Sequence, residues 1–289
     1  MLSGILVIDK PHGITSHDAV AAMRRRFQTK RVGHAGTLDP LATGVLVIAI
    51  GNATRFLQYL PLEPKIYECE VTFGETRNTQ DAEGEVTSNA PVPDNLEELI
   101  RKHLPTLTGA IQQIPPMFSA VKRQGKPLYF YARQGQEIER EPRPVTIHKF
   151  DLVEVQEGKA HLYIECSGGT YVRTLAHDLG QLVGCGAYLT GLTRTVVGNF
   201  TLEEAAPLEE VRDEEVIPIR EALSNVPEFM LNLGQEKLVL NGGEVRAARP
   251  IDGDLVQLVN TAGATISIAK VQPPYHMQPL CVIPANVSE

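Results

Sequence analysis

Most of the signals that would place this chain among metal-dependent, disulfide-stapled or membrane proteins are missing from its sequence. There is no tryptophan among the 289 residues, and the few cysteines are far apart with no Cys-x-x-Cys pair: Cys69, Cys166, Cys185 and Cys281. Neither a zinc site nor a disulfide framework is therefore expected, and buried free thiols are predicted instead. The eight histidines show no His-Glu-x-x-His spacing, so the sequence predicts no metal centre.

Long apolar runs are also missing. No run approaches the roughly 20 residues that a membrane-spanning helix needs, and residues 1–5 have no basic flank of the kind that precedes a secretory signal. We therefore expect a cytoplasmic protein with no membrane partner. The composition, with 43% hydrophobic and 21% charged residues, is ordinary for a folded chain. The length predicts one large domain and one small one.

The net charge of −8 argues against a protein that coats nucleic acid indiscriminately, but the charge is unevenly distributed. Residues 200–229 hold nine acids and two arginines, whereas a basic cluster follows a predicted helix near the N-terminus: Arg24, Arg25, Arg26, Lys30 and Arg31. Cations at a helix C-terminus are first of all partners of the helix dipole, which accounts for one or two of them. Five within eight residues predict a phosphate-binding patch, and hence a basic face with an acidic back.

One acid, Asp39, stands on a glycine-rich loop at residues 33–44, just before an apolar run at 45–50 that predicts a buried strand. Glycines allow backbone angles that other residues avoid, and Pro40 fixes the turn after the acid. A carboxylate on such a loop is a candidate catalytic group. Asp-Pro is also a common turn starter, and this stretch alone favours that plainer interpretation.

The remaining pattern predicts a mixed α+β fold on a mainly antiparallel sheet. Alternating apolar and polar residues predict strands at 65–74, 145–153, 161–166 and 188–200, and helices are predicted at 16–24, 52–60, 94–104 and 171–180. Ser16 and Asp94 are the expected helix caps. An acidic arm at 207–227 precedes short strands at 255–259 and 265–269, which predict a small β-rich C-terminal module.

Basic and aromatic residues are interleaved around residues 115–143. Lys122, Arg123 and Lys126 lie close to Tyr129 and Phe130, a combination that can grip phosphates and pack against bases or riboses. A charged helix with a buried aromatic face explains the composition equally well, and both interpretations stay open.

Seven separated segments resemble, in order, the TruB-type bacterial tRNA pseudouridine-55 synthases. They are DKPHGITSHD (9–18), GHAGTLDPLATG (33–44), KIY (65–67), TQDAEG (79–84), PPMFSAVK (115–122), GGTYVRT (168–174) and GCGAYL (184–189). The resemblance implies a pseudouridine synthase catalytic domain at residues 1–228, with a thumb-like, RNA-clamping insertion at about 115–143. Residues 229–289 resemble the family's PUA-like RNA-binding module only loosely, because three basic residues follow Asn241.

The resemblance also implies an activity. Such enzymes flip the T-loop uridine of tRNA out of its stack and isomerise it to pseudouridine, with no cofactor and no obligate protein partner, here as an expected monomer. Two other functions remain open at this point: a tRNA-folding chaperone, alone or in addition, and a guide-RNA-dependent synthase subunit that shares the aspartate loop.

By the same resemblance, Asp39 is the nucleophile, Arg173 keeps that acid ionised by its opposite charge, and Asp81 joins the arginine–aspartate network. The substrate-binding positions are His34, Tyr67, Tyr171 and Leu192. Lys122, Arg123, Lys126 and the basic cluster of residues 24–31 are expected on the RNA backbone, while Lys10 and Pro11 are expected to be scaffold. The chain departs from the family pattern outside this core, at residues 77–79, 187–189 and 192–195.

Overall fold

The first two hundred residues of the protein contain a large, mainly antiparallel sheet. The computed structural model describes residues 2–123, 125–273 and 275–283. The strands of this sheet and of the hairpins beside it are β1 (Gly4–Lys10), β2 (Val32–Ala35), β3 (Thr43–Ile50), β4 (Lys65–Phe73), β5 (Glu75–Arg77), β6 (Val86–Asn89), β7 (Gly109–Gln113), β8 (Lys122–Arg123), β9 (Lys126–Pro127), β10 (Arg143–Gln156), β11 (Lys159–Cys166), β12 (Ala187–Val197), β13 (Phe200–Thr201) and β14 (Ala206–Pro207). In the large sheet the strand order is β14-β1-β3-β12-β4-β11-β10-β7, with β2 beside β3 and β13 beside β12. The pairs β5-β6 and β8-β9 form the two hairpins. Strand β3 runs parallel to β12, and that pairing lies at the centre of the sheet.

The helices flank the sheet as expected for a mixed α+β fold. They are α1 (Ser16–Arg26), α2 (Leu96–His103), α3 (Leu128–Ala132), α4 (Val172–Val183), α5 (Ile219–Ala222) and α6 (Leu233–Leu240). Both predicted caps are wrong by one residue. Thr15 caps α1 by accepting a hydrogen bond from the Asp18 amide while the Asp18 carboxylate accepts one from Thr15, and Asn95 precedes α2 without a side-chain cap. No described helix is long and apolar enough to cross a membrane.

The predicted helix at 52–60 is wrong. This segment forms two 3₁₀ turns, Gly51–Arg55 and Leu57–Tyr59. The hydroxyl of Thr54 donates to the Gly51 carbonyl at 2.9 Å, and such local bonds compete with an α-helical backbone. The turns bury Phe56 completely against the β1–β3 pair.

The core lies on both faces of the sheet. On β4, alternation is confirmed: Tyr67, Cys69, Val71 and Phe73 are buried on the face that packs against α2 and α4. Strands β1 and β3 are apolar on both faces, because α1 covers one face and the 3₁₀ turns cover the other. Each fully buried aliphatic side chain stabilises such a core by about 1.5–3 kcal/mol, so β1 and β3 form a rigid base for the loop between β2 and β3.

A second, five-stranded sheet contains the C-terminal residues, and the two strands predicted there are confirmed. Its members are β15 (Glu228–Met230), β16 (Val245–Arg246), β17 (Leu255–Val259), β18 (Thr265–Gln272) and β19 (His276–Val282), in the order β15-β17-β18-β19-β16. The amide of Gln257 donates to the Leu223 carbonyl at 2.8 Å and to the Val226 carbonyl at 3.1 Å. These bonds tie the second sheet to the segment that connects it to the first.

The acidic arm packs against β1 and the end of α1. Ile217 forms a β-bridge with Ile5, and the Arg26 guanidinium lies 3.0 Å from the Asp213 carboxylate. One basic residue of the N-terminal cluster and one acidic residue of the arm are therefore in direct contact.

Candidate active site

A buried serine supports the loop that carries Asp39. The Ser16 hydroxyl accepts a hydrogen bond from the Leu38 amide at 2.8 Å and donates one to the Leu38 carbonyl at 3.0 Å. The Ala42 amide donates to the Asp39 carbonyl at 3.1 Å and closes the turn. Ser16, which does not cap its helix, thus fixes the backbone immediately before the acid.

A second support comes from the end of β1. The buried Lys10 ammonium donates to the carbonyls of Pro11 and Ile14, at 2.9 and 2.7 Å. The turn held in this way donates its Gly13 amide to the Pro40 carbonyl at 2.9 Å. Lys10 is therefore part of the scaffold beneath the loop, as the sequence predicted.

The loop ends where β3 meets β12. Gly44 has a φ of +95°, and a β-carbon at this position would lie 2.3 Å from the Arg194 carbonyl oxygen. The hydroxyls of Thr43 and Thr193 hydrogen-bond across the same pair at 2.9 Å. Glycine is required at position 44 because the two backbones are in close contact there.

Arg173 brings the two predicted acids together. Its guanidinium lies 3.2 Å from an oxygen of Asp39 and 3.2 Å from an oxygen of Asp81, and it donates to the Phe118 carbonyl at 2.7 Å. The side chains of Arg173 and Asp81 are only 7% and 4% exposed, whereas that of Asp39 is 42% exposed. Asp39 is therefore the member of this network that a substrate can reach.

The environment of Asp39 acts on its pKa in opposing directions. Burial raises the pKa of the carboxyl above its usual value, and the nearby Asp81 raises it further, while Arg173 and Lys10 lower it. Arg173 thus acts in the predicted direction, but burial outweighs it. Holding an ionised carboxylate in a partly dry site makes it a stronger base and nucleophile than one in water.

Asp39 opens onto a cavity of about 500 Å³. Four other predicted residues line it: Tyr67, Tyr171, Arg173 and Leu192. The segment after β7 closes another side with Phe118, Ser119, Ala120 and Tyr129. Five of the predicted site residues therefore meet at one cavity, and the 115–143 segment contributes to its wall.

Tyr67 is paired across the sheet with an arginine that sequence reasoning did not select. Arg194, 1% exposed, stands opposite Tyr67 in the β12–β4 ladder and also lines the cavity. Its guanidinium donates to the Val45 carbonyl at 2.8 Å and to the Gly36 carbonyl at 3.0 Å. Burial raises the pKa of Tyr67, with Arg194 opposing that effect. Arg194 thus links the aromatic wall of the cavity to the Asp39 loop.

Tyr171 is positioned by a buried glutamine at the end of β7. The Tyr171 amide donates to the Gln113 side-chain oxygen at 2.8 Å, and the Gln113 amide group donates to the Tyr171 carbonyl at 3.1 Å. These two hydrogen bonds fix the backbone of the residue that precedes α4, and they thereby position both Tyr171 and Arg173. Gln113 stands next to a Pro-rich segment, but nothing in its sequence context indicated this role.

His34 does not line the cavity. It lies on β2, where burial lowers its pKa, and its Nδ1 has no hydrogen-bond partner among the described residues. Its ring meets that of His17 edge to face, with centroids 5.5 Å apart, and His17 is the histidine on the cavity wall. A substrate in the cavity would touch His17 before His34.

The predicted RNA-backbone residues lie outside the cavity in two groups. The basic cluster of residues 24–31 starts in the last turn of α1, about 12 Å along the helix from Ser16, and Arg31 donates to the Asn52 side chain. Lys122, Arg123 and Lys126 lie on the β8–β9 hairpin; Arg123 is 2.7 Å from Glu141, and Lys126 lies over the Phe130 ring. The structure does not join these groups to Asp39.

The chemistry of the site is that of a carboxylate beside an aromatic face. In the described part of the chain, no three His, Cys, Asp or Glu side chains come together in a way that could hold a metal ion. The groups that line the cavity include a reachable carboxylate, the cations of Lys65, Arg173 and Arg194, and the rings of three tyrosines. Such a site can bind a flat, neutral ring and attack it or its substituent.

Comparison with protein families gives a consistent match. Residues 24–172 match the N-terminal domain of the TruB family of pseudouridylate synthases, and residues 173–226 match the C-terminal domain of tRNA pseudouridylate synthase B. The tRNA pseudouridine synthase B of Aromatoleum aromaticum is 45% identical over 249 residues, which cover 84% of this chain and 80% of the relative. That of Stutzerimonas stutzeri is 41% identical over 281 residues, covering 93% and 92%.

Solved structures share the fold at lower sequence identity. The structure of a Cbf5-Nop10-Gar1 complex aligns with a TM-score of 0.72 and 23% identity, covering 97% of this chain and 85% of the matched chain. An H/ACA RNP bound to a substrate RNA containing 2'-deoxyuridine gives 0.71 and 21%, covering 96% and 84%. These similarities confirm the predicted fold class.

Proposed function

The chain belongs to the TruB family of pseudouridylate synthases, and on that premise we propose that it converts uridine 55 in the T-loop of tRNA to pseudouridine. The observation that carries this proposal is the position of Asp39, reachable from the cavity, 3.2 Å from Arg173 and on the same cavity as Tyr67. Relatives at 41–45% identity are named tRNA pseudouridine synthase B.

The proposed reaction needs the target base outside its helical stack. The uridine flips into the cavity, where the ring of Tyr67 stacks on the uracil and Leu192 forms an apolar wall. Asp39 acts as the nucleophile toward the nucleoside, and the bond that it forms breaks again before the product leaves, which regenerates the carboxylate. The bond between N1 and C1′ breaks, the uracil turns against the tyrosine face, and a bond forms between C5 and C1′. The proton lost from C5 balances the one gained at N1, so the product is an isomer.

Arg173 serves this reaction by stabilising the carboxylate form of Asp39, because it places a positive charge beside it in a site that is partly shielded from water. Asp81 holds the other side of the guanidinium, and accepts hydrogen bonds from the Thr79 hydroxyl at 2.6 Å and the Glu83 amide at 3.1 Å. Asp81 is therefore proposed to orient Arg173 and not to touch the substrate.

The remaining assignments are part of the same proposal. Residues 1–228 form the catalytic domain, the insertion at 115–143 clamps RNA as a thumb, and residues 229–289 form a PUA-like module that adds an RNA contact. The protein works as a monomer in the cytoplasm and needs no cofactor. The two groups of basic residues outside the cavity contact the RNA backbone, and His34 acts near the flipped T-loop bases behind His17.

A guide-RNA-dependent subunit is the competing assignment. The solved structures with this fold include a Cbf5-Nop10-Gar1 complex and an H/ACA RNP bound to a substrate RNA, but at 21–23% identity they bear on the fold alone. The relatives at 41–45% identity carry the tRNA synthase name. The sequence relatives therefore favour an enzyme that acts on tRNA without a guide.

The test uses the purified chain and a bare T-arm stem-loop labelled with tritium at uridine C5. We expect the wild type to release tritium unaided, and Asp39→Asn to lower the rate at least about a thousandfold because the nucleophile is lost. The variant should bind the stem-loop as before. Asp151→Asn, which removes an exposed acid of β10, is the matched control and should turn over normally.

Three results separate the alternatives. Normal turnover by Asp39→Asn would remove Asp39 from the mechanism. Turnover only after addition of a guide RNA would identify a guide-dependent subunit. Refolding of denatured tRNA by Asp39→Asn at the wild-type rate would demonstrate a chaperone activity that does not need isomerisation.

A further inference from the structure

The side chain of Lys65 lines the cavity and brings an ammonium group to it. It is the first residue of β4 and shares a face with Tyr67, because side chains two apart on a strand point the same way. A β-carbon built on Gly36 would lie 3.6 Å from its Nζ, and one built on Gly168 would lie 3.5 Å from it. The ammonium therefore lies between the Asp39 loop and the glycine turn that precedes α4.

This ammonium has no hydrogen bond and no ion pair with any described residue. The nearest acid, Glu63, uses an oxygen to accept the Gly168 amide at 2.9 Å. The charged groups around Lys65 are the Glu63 carboxylate and the Arg194 guanidinium. Burial lowers the pKa of Lys65. The other cations of the site have partners, since Arg173 pairs with two acids and the Arg194 and Lys10 side chains donate to carbonyls. Lys65 lines the cavity with its donors unused.

We propose that Lys65 binds a phosphate of the substrate strand, one of the two that flank the flipped uridine. The inference rests on the proposed function, since it takes an RNA nucleotide as the occupant of the cavity. Lys65 and Tyr67 lie on one strand face and line the same cavity, so Lys65 is within reach of the backbone of a nucleotide whose base stacks on Tyr67. The interaction anchors the backbone of the target nucleotide while its base turns.

A phosphate fits this position better than a base or a hydroxyl. Lys65 and Arg194 place two positive charges at one side of the cavity, and anions are the groups that such charge favours. Lysine binds phosphate as a flexible point charge without the fixed geometry of an arginine fork. An uncharged partner would leave this ammonium desolvated without compensation.

The test measures stem-loop binding in the Asp39→Asn background, so that no turnover interferes. Lys65→Gln should weaken binding roughly tenfold, the effect of one charge-assisted hydrogen bond. It should also reduce the slope of log affinity against log salt by about 0.7–0.9, the effect of one lost phosphate contact. Lys102→Gln, which removes an exposed lysine of α2, is the control and should leave both quantities unchanged.

Neutral methylphosphonates at the two phosphates beside the target uridine identify the contact. One of them should weaken binding to the protein with Lys65 and add nothing to the loss in Lys65→Gln, because both changes remove one interaction. Losses that add at both phosphates would overturn the proposal. So would undiminished binding of both modified RNAs to the protein with Lys65, a result that needs no folded variant. Tritium release by the wild type tests the proposed function separately, so either proposal can fail alone.

Discussion

Two arginine–aspartate pairs of nearly equal length lie in different regions of this protein. Arg173 is 3.2 Å from Asp81 beneath the cavity, and Arg26 is 3.0 Å from Asp213 where α1 meets the acidic arm. The exposed fractions are 7% and 4% for the first pair and 42% and 63% for the second. Distance alone would rank the two pairs as equals, but burial separates them.

The difference decides what each pair can do. A buried charge that loses its partner is stranded in a medium that solvates it poorly, so the Arg173 pair is strongly coupled to the fold. An exposed charge that loses its partner is solvated by water, and the Arg26 pair is easily replaced. The cavity therefore relies on a charge network that the protein cannot open without cost, while the outer pair is free to exchange partners.

The largest effect is expected for Arg173→Gln. It leaves the Asp81 carboxylate buried without a cation, which should lower the free energy of unfolding by about 3–5 kcal/mol, measured by urea unfolding at neutral pH. Adding Asp81→Asn should recover part of that loss, because it removes the stranded charge. If Arg173→Gln alone is as stable as the wild type, water reaches Asp81, and the two pairs do not differ in how strongly they are coupled to the fold.

An intermediate effect is expected for Asp178, a half-buried acid of α4 that has no hydrogen bond or ion pair with any described residue. Burial raises the pKa of its carboxyl from 3.8 to about 6. The folded protein therefore binds the carboxyl proton of Asp178 more tightly than the unfolded chain does. As the pH rises from about 4 to 6, the contribution of Asp178 to the free energy of unfolding falls. Asp178→Asn should remove that fall and gain about 2–3 kcal/mol over the wild type at pH 7.

Urea unfolding at several values between pH 4 and pH 7 measures this difference. Asp94→Asn, which removes an exposed acid before α2, should show no comparable change with pH. A gain for Asp178→Asn that is the same at pH 4 and pH 7 would mean that the carboxyl titrates normally in the folded protein.

The smallest effect is expected for Arg26→Gln. Loss of an exposed pair should change the free energy of unfolding by about 0–1 kcal/mol, and Asp213→Asn should behave alike. A loss above 2 kcal/mol in either variant would show that the acidic arm depends on this contact. Thermal melting of the two variants beside the wild type is sufficient to decide.

The strands were predictable because their side chains alternate between a solvated and a buried environment. On β4 the exposed Glu68 lies between the buried Tyr67 and Cys69, and that contrast is written directly in the sequence. The segment at 52–60 was not predictable in this way. It has apolar residues at helical spacing, but their burial against β1 and β3 selects 3₁₀ turns, and only tertiary packing carries that information.

Helix α6 could have been found from a local signal. Asn232 and Gln235 form a capping box, in which each side-chain oxygen accepts a hydrogen bond from the backbone amide of the other residue. Asn-x-x-Gln is a close variant of the usual start signal for a helix.

The site was predictable in its acids and tyrosines, through the family resemblance, and less so in its supporting cations. Arg194 lies between two threonines on a strand, a context that predicts a solvated face. The register of β12 against β4 shifts at two bulges, and these shifts bring Arg194 opposite Tyr67. His17 and Lys65 were likewise missed, because their places on the cavity wall follow from helix and strand packing.

The contact between β3 and β12 joins parts of the chain that are made at different times. The Thr43–Thr193 hydrogen bond spans 150 residues of sequence, and ribosomes add roughly 5–20 residues per second. Roughly 8–30 s therefore pass between the synthesis of Thr43 and that of Thr193. The Asp39 carboxylate is made well before Arg173 and Arg194, so the cavity can form only after β12 has been synthesised.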